Sequence, residues 1–414
     1  MRTRLPVIQD EPTGTRAIAI LAVAGFFSSA AFRICDSLLP QLATTFGSST
    51  GEAAHTITVF AVAYGSLQVL WGPIGDRFGK YRTAAFATLA CAVGNVGAVF
   101  ADSLTALTIW RAIAGATGGG IIPLSFAWIG DTIPYARRQA VLARFLTATI
   151  LGVASGQFIG GLFADTLGWR WAFAVLASSY VVAGALLQFE VRRHRRLRAS
   201  ADAATQLASQ VAAAPRLPFR SQVGAILSDR WARIVLATVG IEGAIIFGAL
   251  AFVPADLHER LGISLTAAGG IVAAYGLGGV AYTLVARRLV ARLGERGLAQ
   301  YGGVVMLPAF AALWLGPGWQ TALVGCFVAG FGFYMLHNTL QTNATQMAPE
   351  TRGTAVAMFA SSFFVGQSIG VAIASLMVDH AGIRWLFPIA MVLLPLLATA
   401  FARALRTRPS RHFV

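Results

Sequence analysis

Charge is what this chain has least of. Only 12% of its 414 residues are Asp, Glu, Lys or Arg and 56% are hydrophobic, against about 25% charged in an ordinary soluble domain. That balance excludes a water-soluble fold and implies a polytopic membrane protein. Cysteine is scarce: Cys35, Cys91 and Cys326 all lie in apolar stretches, with neither disulfide nor metal-ligand spacing, and read as small buried hydrophobes. The chain has no phosphate-cradling G-x-x-x-x-G-K, no G-x-S-x-G nucleophile turn and no Cys/His metal pattern. Enzyme chemistry, a metal and a bound cofactor are therefore not expected. Nor is a cleavable signal, because the first apolar stretch runs into Arg33, Asp36 and Pro40 without a small-residue cleavage pattern.

What is present is hydrophobicity in repeated blocks. Apolar segments fall at 17–40, 53–73, 83–101, 105–130, 140–163, 171–190, 232–255, 267–288, 299–316, 320–346, 354–378 and 384–403, each close to the ~20 residues of a membrane-spanning helix. The expected fold is all-α, with twelve transmembrane helices. The formal net charge of +15 does not point to nucleic acid, because the cations occupy alternate connections. Arg2, Arg4 and Arg16 precede the first segment; Arg77, Lys80 and Arg82, Arg137 and Arg138, Arg192 to Arg198, Arg287 to Arg296, Arg352, and Arg403 to Arg411 follow in turn. The intervening connections carry only Arg170, Arg260 and Arg384. This is positive-inside asymmetry, and it predicts both termini in the cytoplasm of a bacterial-type inner membrane.

Residues 191–230 interrupt the pattern with Arg192-Arg193-His194-Arg195-Arg196-Leu197-Arg198, an Ala/Ser/Gln stretch, and then Pro215 and Pro218. They read as a basic cytoplasmic linker, partly helical along the lipid headgroups. It separates an N-terminal six-helix bundle, 1–190, from a C-terminal one, 231–414. The two repeat each other. Asp165-x-x-Gly168-x-Arg170-Trp171-x-Phe173 matches Asp379-x-x-Gly382-x-Arg384-Trp385-x-Phe387, and Gly156-Gln157-x-Ile159-Gly160 matches Gly366-Gln367-x-Ile369-Gly370. Pro134-x-x-Arg137 matches Pro349-x-x-Arg352, and Ala63-Tyr64-Gly65 matches Ala274-Tyr275-Gly276. Four matches in one order indicate a duplicated unit and pseudo-symmetric halves.

Between the second and third segments lies Gly72-Pro73-Ile74-Gly75-Asp76-Arg77-Phe78-Gly79-Lys80-Tyr81-Arg82. Its glycines permit a sharp turn, and its cations suit a cytoplasmic surface. The spacing G-x-x-x-D-R-x-G-K-x-R resembles the loop 2–3 signature of the major facilitator superfamily. In the second half this stretch has decayed: Arg292-x-Gly294 survives, but Ala291 stands in place of Asp76, Glu295 of Lys80 and Arg287 of Gly72. The resemblance implies alternating access by rocking of two halves, with Asp76, Arg77 and Asp131 as a charge relay that latches the halves on the cytoplasmic side. Simple topology signals are the other reading of these charges.

Ionisable groups inside the membrane are costly and by default functional. Arg33 and Asp36, at i and i+3 of the first helix, share a face. Arg111, about 13 Å from the boundary near Asp102 at the helical rise, falls at compatible depth. The three are expected to form one buried cluster, serving either proton coupling or a structural ion pair. Glu242, with no charge near it in sequence, is the second candidate to cycle protons; a glutamate bonded to the linker or facing headgroups is the alternative. Arg111-x-x-x-Gly115-x-x-Gly118-Gly119-Gly120 resembles the superfamily's helix 4 signature, in which the arginine is tied to proton coupling. Gly152-x-x-x-Gly156-Gln157-x-x-Gly160-Gly161 resembles the antiporter signature of helix 5, with Gln157 in place of proline. Gln157 and its mate Gln367 read as substrate or cross-half hydrogen-bonding groups, or as packing glue. On the tenth segment Asn338, Gln341, Thr342 and Thr345 share a face, lining a cavity or marking a helix that outruns the bilayer. His337 beside them has no partner at zinc-ligand spacing.

Without an ATP site, active transport must draw on an ion gradient. The resemblance to the twelve-helix drug–proton antiporters implies proton-coupled efflux of a small organic compound, with protons, substrate and the bilayer as partners of a monomer. Uptake of a polar or anionic metabolite held by Arg33 and Arg111, and a non-transporting membrane sensor or scaffold, are the alternatives.

Overall fold

The computed structural model describes residues 14–202 and 219–407, all of them in helices and short connections without a strand. In order they are α1 (Thr15–Arg33), α2 (Leu39–Phe46), α3 (Thr50–Ala53), α4 (His55–Phe78), α5 (Lys80–Val99), α6 (Leu104–Gly118), α7 (Ile121–Thr132), α8 (Tyr135–Asp165) and α9 (Trp169–Asp202). After the undescribed 203–218 come α10 (Phe219–Ser228), α11 (Arg230–Leu250), α12 (Val253–Leu261), α13 (Leu265–Leu315), α14 (Trp319–Gln346), α15 (Arg352–Ala381) and α16 (Leu386–Ala404).

Among the described residues, eleven helical stretches are long and apolar enough to cross a bilayer. The 51-residue α13 is broken at Gly294, where φ is 62°. At about 1.5 Å per residue α13 is more than twice the ~30 Å hydrocarbon core, long enough for two crossings, which is consistent with the expected twelve. Gly294 and its counterpart Gly79, φ 91°, both adopt a backbone that an L side chain resists. The turn outlived the charges around it.

Two expectations need correction. The stretch 72–82 is not an extended loop: α4 runs on through Asp76 and Arg77 to Phe78, and α5 starts at Lys80, leaving Gly79 as the entire connection. Polar residues end the apolar run without ending the helix. Asp36 is not on the first helix with Arg33. Arg33 is the last residue of α1, and Asp36 sits in the turns that follow, where its N–H donates to the Arg33 carbonyl at 3.2 Å and Leu38 donates to Cys35 at 3.0 Å. The linker, expected to be partly helical, is helical at both described margins: α9 continues to Asp202, and α10 packs on α11 and α15. Its centre, 203–218, and the side chains of Arg195, Arg196 and Arg198 lie outside the described residues.

Glycine sets how closely the helices cross. A Cβ on Gly152, Gly156 or Gly160 of α8 would come within 2.2, 2.3 and 2.3 Å of the carbonyl oxygens of Phe26, Ala30 and Ile34 on and just after α1. In the second half Gly366 and Gly370 of α15 press equally on the carbonyls of Gly240 and Ala244 in α11, both at 2.0 Å. These matched contacts put α1 and α11 in register: Ala30 corresponds to Gly240, Ile34 to Ala244, and so Phe32 to Glu242. Between the halves α8 packs on α13 and α4 on α15. There Gly269 lies under the Gln157 carbonyl, and Gly65 lies against Phe364.

Candidate functional site

Where α1 gives way to its terminal turns, the chain buries a complete ion pair. Arg33 Nη1 donates to Asp36 Oδ2 at 3.3 Å, with 3% and 0% of the two residues exposed. Gln157 Nε2 of α8 donates to the same oxygen at 3.2 Å. Arg33 also reaches across the interface: Nη2 donates to Gln367 Oε1 of α15 at 3.4 Å, and the guanidinium lies 3.8 Å from the centre of the Phe247 ring of α11. The repeat-related glutamines thus take opposite members of one pair, Gln157 the acid within its own half and Gln367 the base from the other. Asp36 Oδ1 and Gln367 Nε2 have no hydrogen-bond partner.

The expected triple cluster is only partly formed. Arg111 is buried and acts on Asp36 through space, but its contacts are the carbonyls of Ala31, 3.0 Å from Nη2, and of Thr56, 3.4 Å from Nε. The face of Phe60 lies 3.9 Å from the guanidinium. Carbonyl dipoles and a ring face thus replace the anion that sequence spacing suggested, and Arg111 Nη1 has no partner.

Glu242 is not solitary. It is fully buried, and Oε2 lies 2.8 Å from Nδ1 of His337 on α14. The imidazole stacks on Phe333 at 4.8 Å and meets Phe363 at 4.9 Å, in an aromatic cluster that extends to Phe247, Tyr275 and Tyr334. Glu242 Oε1 has no hydrogen-bond partner. Phe247 touches both this cluster and Arg33, so the two acid sites share one aromatic wall. On α14, Asn338, next to His337 in the chain, is half-buried beside Tyr282, and Gln341, one turn beyond His337, is exposed.

At the basic end, Lys80 rather than Arg77 joins the charges. Its Nζ pairs with Asp131 of α7 and lies 3.4 Å from Asp76, one helical turn away in sequence. Arg77 instead lies over the Phe78 ring at 5.2 Å. Gly72 has open space around its α-carbon, and Arg82 is exposed. This network ties α4, α5 and α7 of one half together.

The halves are joined at the opposite end. Asp379, near the end of α15, accepts from the Gly51 N–H at 3.1 Å and the Ser49 hydroxyl at 2.9 Å, at the start of α3. Asp165, the last residue of α8, accepts from the N–H groups of Leu265 and Thr266 at 3.1 and 2.6 Å, at the start of α13. Each carboxylate meets free amides at the positive end of a helix belonging to the other half. Deeper in the interface Ser368 donates to the Thr58 carbonyl at 2.8 Å and Ser361 to that of Gly65 at 2.6 Å. The glycines and arginines of the repeated motif around the two acids also have a physical reading. Gly168 and Gly382 make the turn at φ 94° and 92°, Arg170 donates to the carbonyls of Val99 and Ala101, and Arg384 donates to that of Trp314.

This is a helical pair of bundles, closed at one end around buried acids and bases, and the profile of the Major Facilitator Superfamily matches residues 21–359. The chain belongs to that superfamily. Its described residues form helices and short connections and include eleven stretches long and apolar enough to span a bilayer, which makes it a multi-pass membrane protein. It is 28% identical over 182 residues to the uncharacterized MFS-type transporter YwfA of Bacillus subtilis, covering 43% of each chain. It is 30% identical over 155 residues to the multidrug export protein EmrB of Haemophilus influenzae, covering 37% of this chain and 30% of that one. The aligned region is thus under half the length of either relative. Among solved structures, a D-xylose–proton symporter superposes with a TM-score of 0.69 at 15% identity, covering 92% of this chain and 96% of that one. The nucleoside transporter NupG gives 0.71 at 14% identity, covering 94% and 99%. At these identities the superpositions establish the shared fold.

Sequence reasoning missed His337 as the partner of Glu242, because the two are 95 residues apart on helices that meet only in the fold. It also missed the roles of Asp165 and Asp379, although their repetition was in plain view.

Proposed function

We propose that this transporter exports a small, drug-like organic compound in exchange for protons, and that Asp36 and Glu242 are the groups that carry the proton. The observation behind this reading is that Asp36 in the first half and Glu242 in the second are each fully buried within the bundle with one carboxylate oxygen lacking a hydrogen-bond partner, whereas the other buried acid of this kind, Glu190, is ion-paired with Arg16 at the helix end. In an interior of low dielectric such an oxygen is where a proton is best accommodated. The name of the EmrB relative supports export. The alternating basic loops support a bacterial-type inner membrane with both termini in the cytoplasm.

In the closed arrangement Arg33 is shared between Asp36, Gln367 and Phe247. A proton on Asp36 cancels the charge opposite Arg33 and leaves the guanidinium held from the other half; its departure draws Arg33 back to the first half. Occupancy of the carboxylate and the grip between halves are coupled through one side chain. Glu242 is coupled to the aromatic wall through His337. An apolar or cationic compound seated on that wall competes with the same proton, which is what antiport requires.

The deciding experiment uses proteoliposomes with an imposed pH gradient, recording internal pH while drugs and organic anions are added in turn. Proton movement opposite to the compound is expected. Movement in the same direction overturns antiport and favours the second reading, symport of an anionic metabolite. That reading has one observation in its favour: Arg111 is buried with Nη1 unpartnered, a ready seat for a carboxylate.

A further inference from the structure

Away from the acids, α1 and α9 leave a crevice of about 390 Å³ on the outer surface of the bundle. The space exists because Ala19, Ser178, Ser179 and Ala183 are small where the two helices face each other. Val23, Val182 and Leu186 line it while remaining 46%, 59% and 40% exposed. It begins at Arg16 and reaches Phe27, whose carbonyl accepts from the Tyr180 hydroxyl at 3.1 Å and draws the helices together. Eleven helical residues rise about 16 Å, half of a ~30 Å hydrocarbon core. The crevice therefore has the depth of one leaflet.

Its mouth is charged. Arg16 Nε lies 2.8 Å from Glu190 Oε1, and Arg193 Nη1 lies 3.7 Å from the same oxygen. Glu190 is 8% exposed, whereas the two arginine side chains are 56% and 54% exposed. Two cations converge on one buried carboxylate oxygen, which leaves an uncompensated positive charge at headgroup level. Phe189, 5.9 Å from the Arg16 guanidinium, flanks it.

We infer that this crevice binds one acyl chain of an anionic glycerophospholipid whose phosphate completes the Arg16–Glu190–Arg193 cluster. The crevice faces hydrocarbon in a membrane-spanning protein, so a hydrocarbon chain is the occupant it fits, and an empty crevice forfeits dispersion contacts. The paired cations select the headgroup, because an anionic phosphodiester balances the surplus charge and a zwitterionic one does not. The site stands apart from the acids and does not depend on the direction of transport.

The test is native mass spectrometry of the full-length protein, titrated with phosphatidylglycerol or phosphatidylcholine. The most tightly retained lipid is expected to be phosphatidylglycerol, preferred about five- to ten-fold for the surplus basic charge. In the R16Q/R193Q variant that preference disappears while phosphatidylcholine retention is unchanged. Ala19→Phe, at an exposed position that leaves the ion pairs intact, fills the crevice and removes the tightest lipid of either kind. Equal retention of the two lipids by the unaltered protein overturns the inference, as does a tightest lipid that survives Ala19→Phe. Displacement of phosphatidylglycerol by millimolar inorganic phosphate also overturns it, since the cluster would then read the anion alone.

Discussion

Where the α8–α1 crossing of the first half places Phe32, the matching α15–α11 crossing of the second places Glu242. The first half carries its acid one turn further on, as Asp36, beyond the end of α1 and clasped by Arg33 and Gln157. The second carries its acid within the helix, against a single imidazole. One packing scheme, set by matched glycines, therefore presents two different proton environments. Duplication fixed the helix crossings and left the charged side chains free to diverge. A proton on the carboxylate facing a permanent cation is expected to act on the grip between halves, and a proton on the one facing an imidazole to act on the aromatic wall.

The largest effect should come from stranding a charge. Arg33→Gln leaves Asp36 buried without its cation and is expected to cost about 3–5 kcal/mol in thermal unfolding. Adding Asp36→Asn should restore most of that loss, and a double variant no better than the single would show that the pair is not the source.

Next come the acids themselves. Glu242→Gln should abolish accumulation against a gradient while substrate binding persists, and Asp36→Asn should do the same with an altered balance between the open and closed ends. If both carboxamide variants still drive uphill transport, neither acid carries the proton. Equal phenotypes in every assay would erase the distinction between the halves.

Smaller shifts are expected at the closed end. Asp165→Ala and Asp379→Ala each remove a helix-capping carboxylate worth about 1 kcal/mol, roughly five-fold in an equilibrium constant. Spin-label distances across that end should lengthen in population by similar amounts for the two variants, and a shift in only one would break their equivalence. The smallest effect belongs to Lys80→Met at the basic end. An exposed network of this kind is worth ~0–1 kcal/mol, so stability should hardly change. If turnover nevertheless falls, as it should in Asp76→Asn with binding retained, the network acts when the basic end closes.

The membrane-spanning helices and the duplication were legible because hydropathy and repeated motifs are local properties of the chain. The exact course of residues 72–82 was not, since Asp76 and Arg77 end an apolar run without ending a helix. Arg33 and Asp36 were legible as neighbours, and the turn that separates them from one continuous helix was not. Arg111 was recognisable as a buried cation, but its partners are the carbonyls of Ala31 and Thr56, and backbone carries no sequence signal. Glu242 stood out by its isolation in sequence, which hid the histidine that the fold brings to it. Gln157 and Gln367 were visible as mates. That they divide one ion pair between them depends on how the two halves face each other.

The amide-capped carboxylates at the closed end have a further consequence. Asp165 and Asp379 lie at the two seams, α8 with α13 and α4 with α15, on either side of the interface. A rigid rocking motion that parts one seam parts the other, so their contributions combine in a single step and a state with one seam undone is not a resting place. Opening there should be all-or-none. Because each acid is matched to backbone amides and hydroxyls and not to a lysine or arginine, no mobile cation has to be re-paired when the seams separate. Water alone can take over both sets of bonds, so under the proposed rocking motion the closure should be cooperative to break and simple to remake.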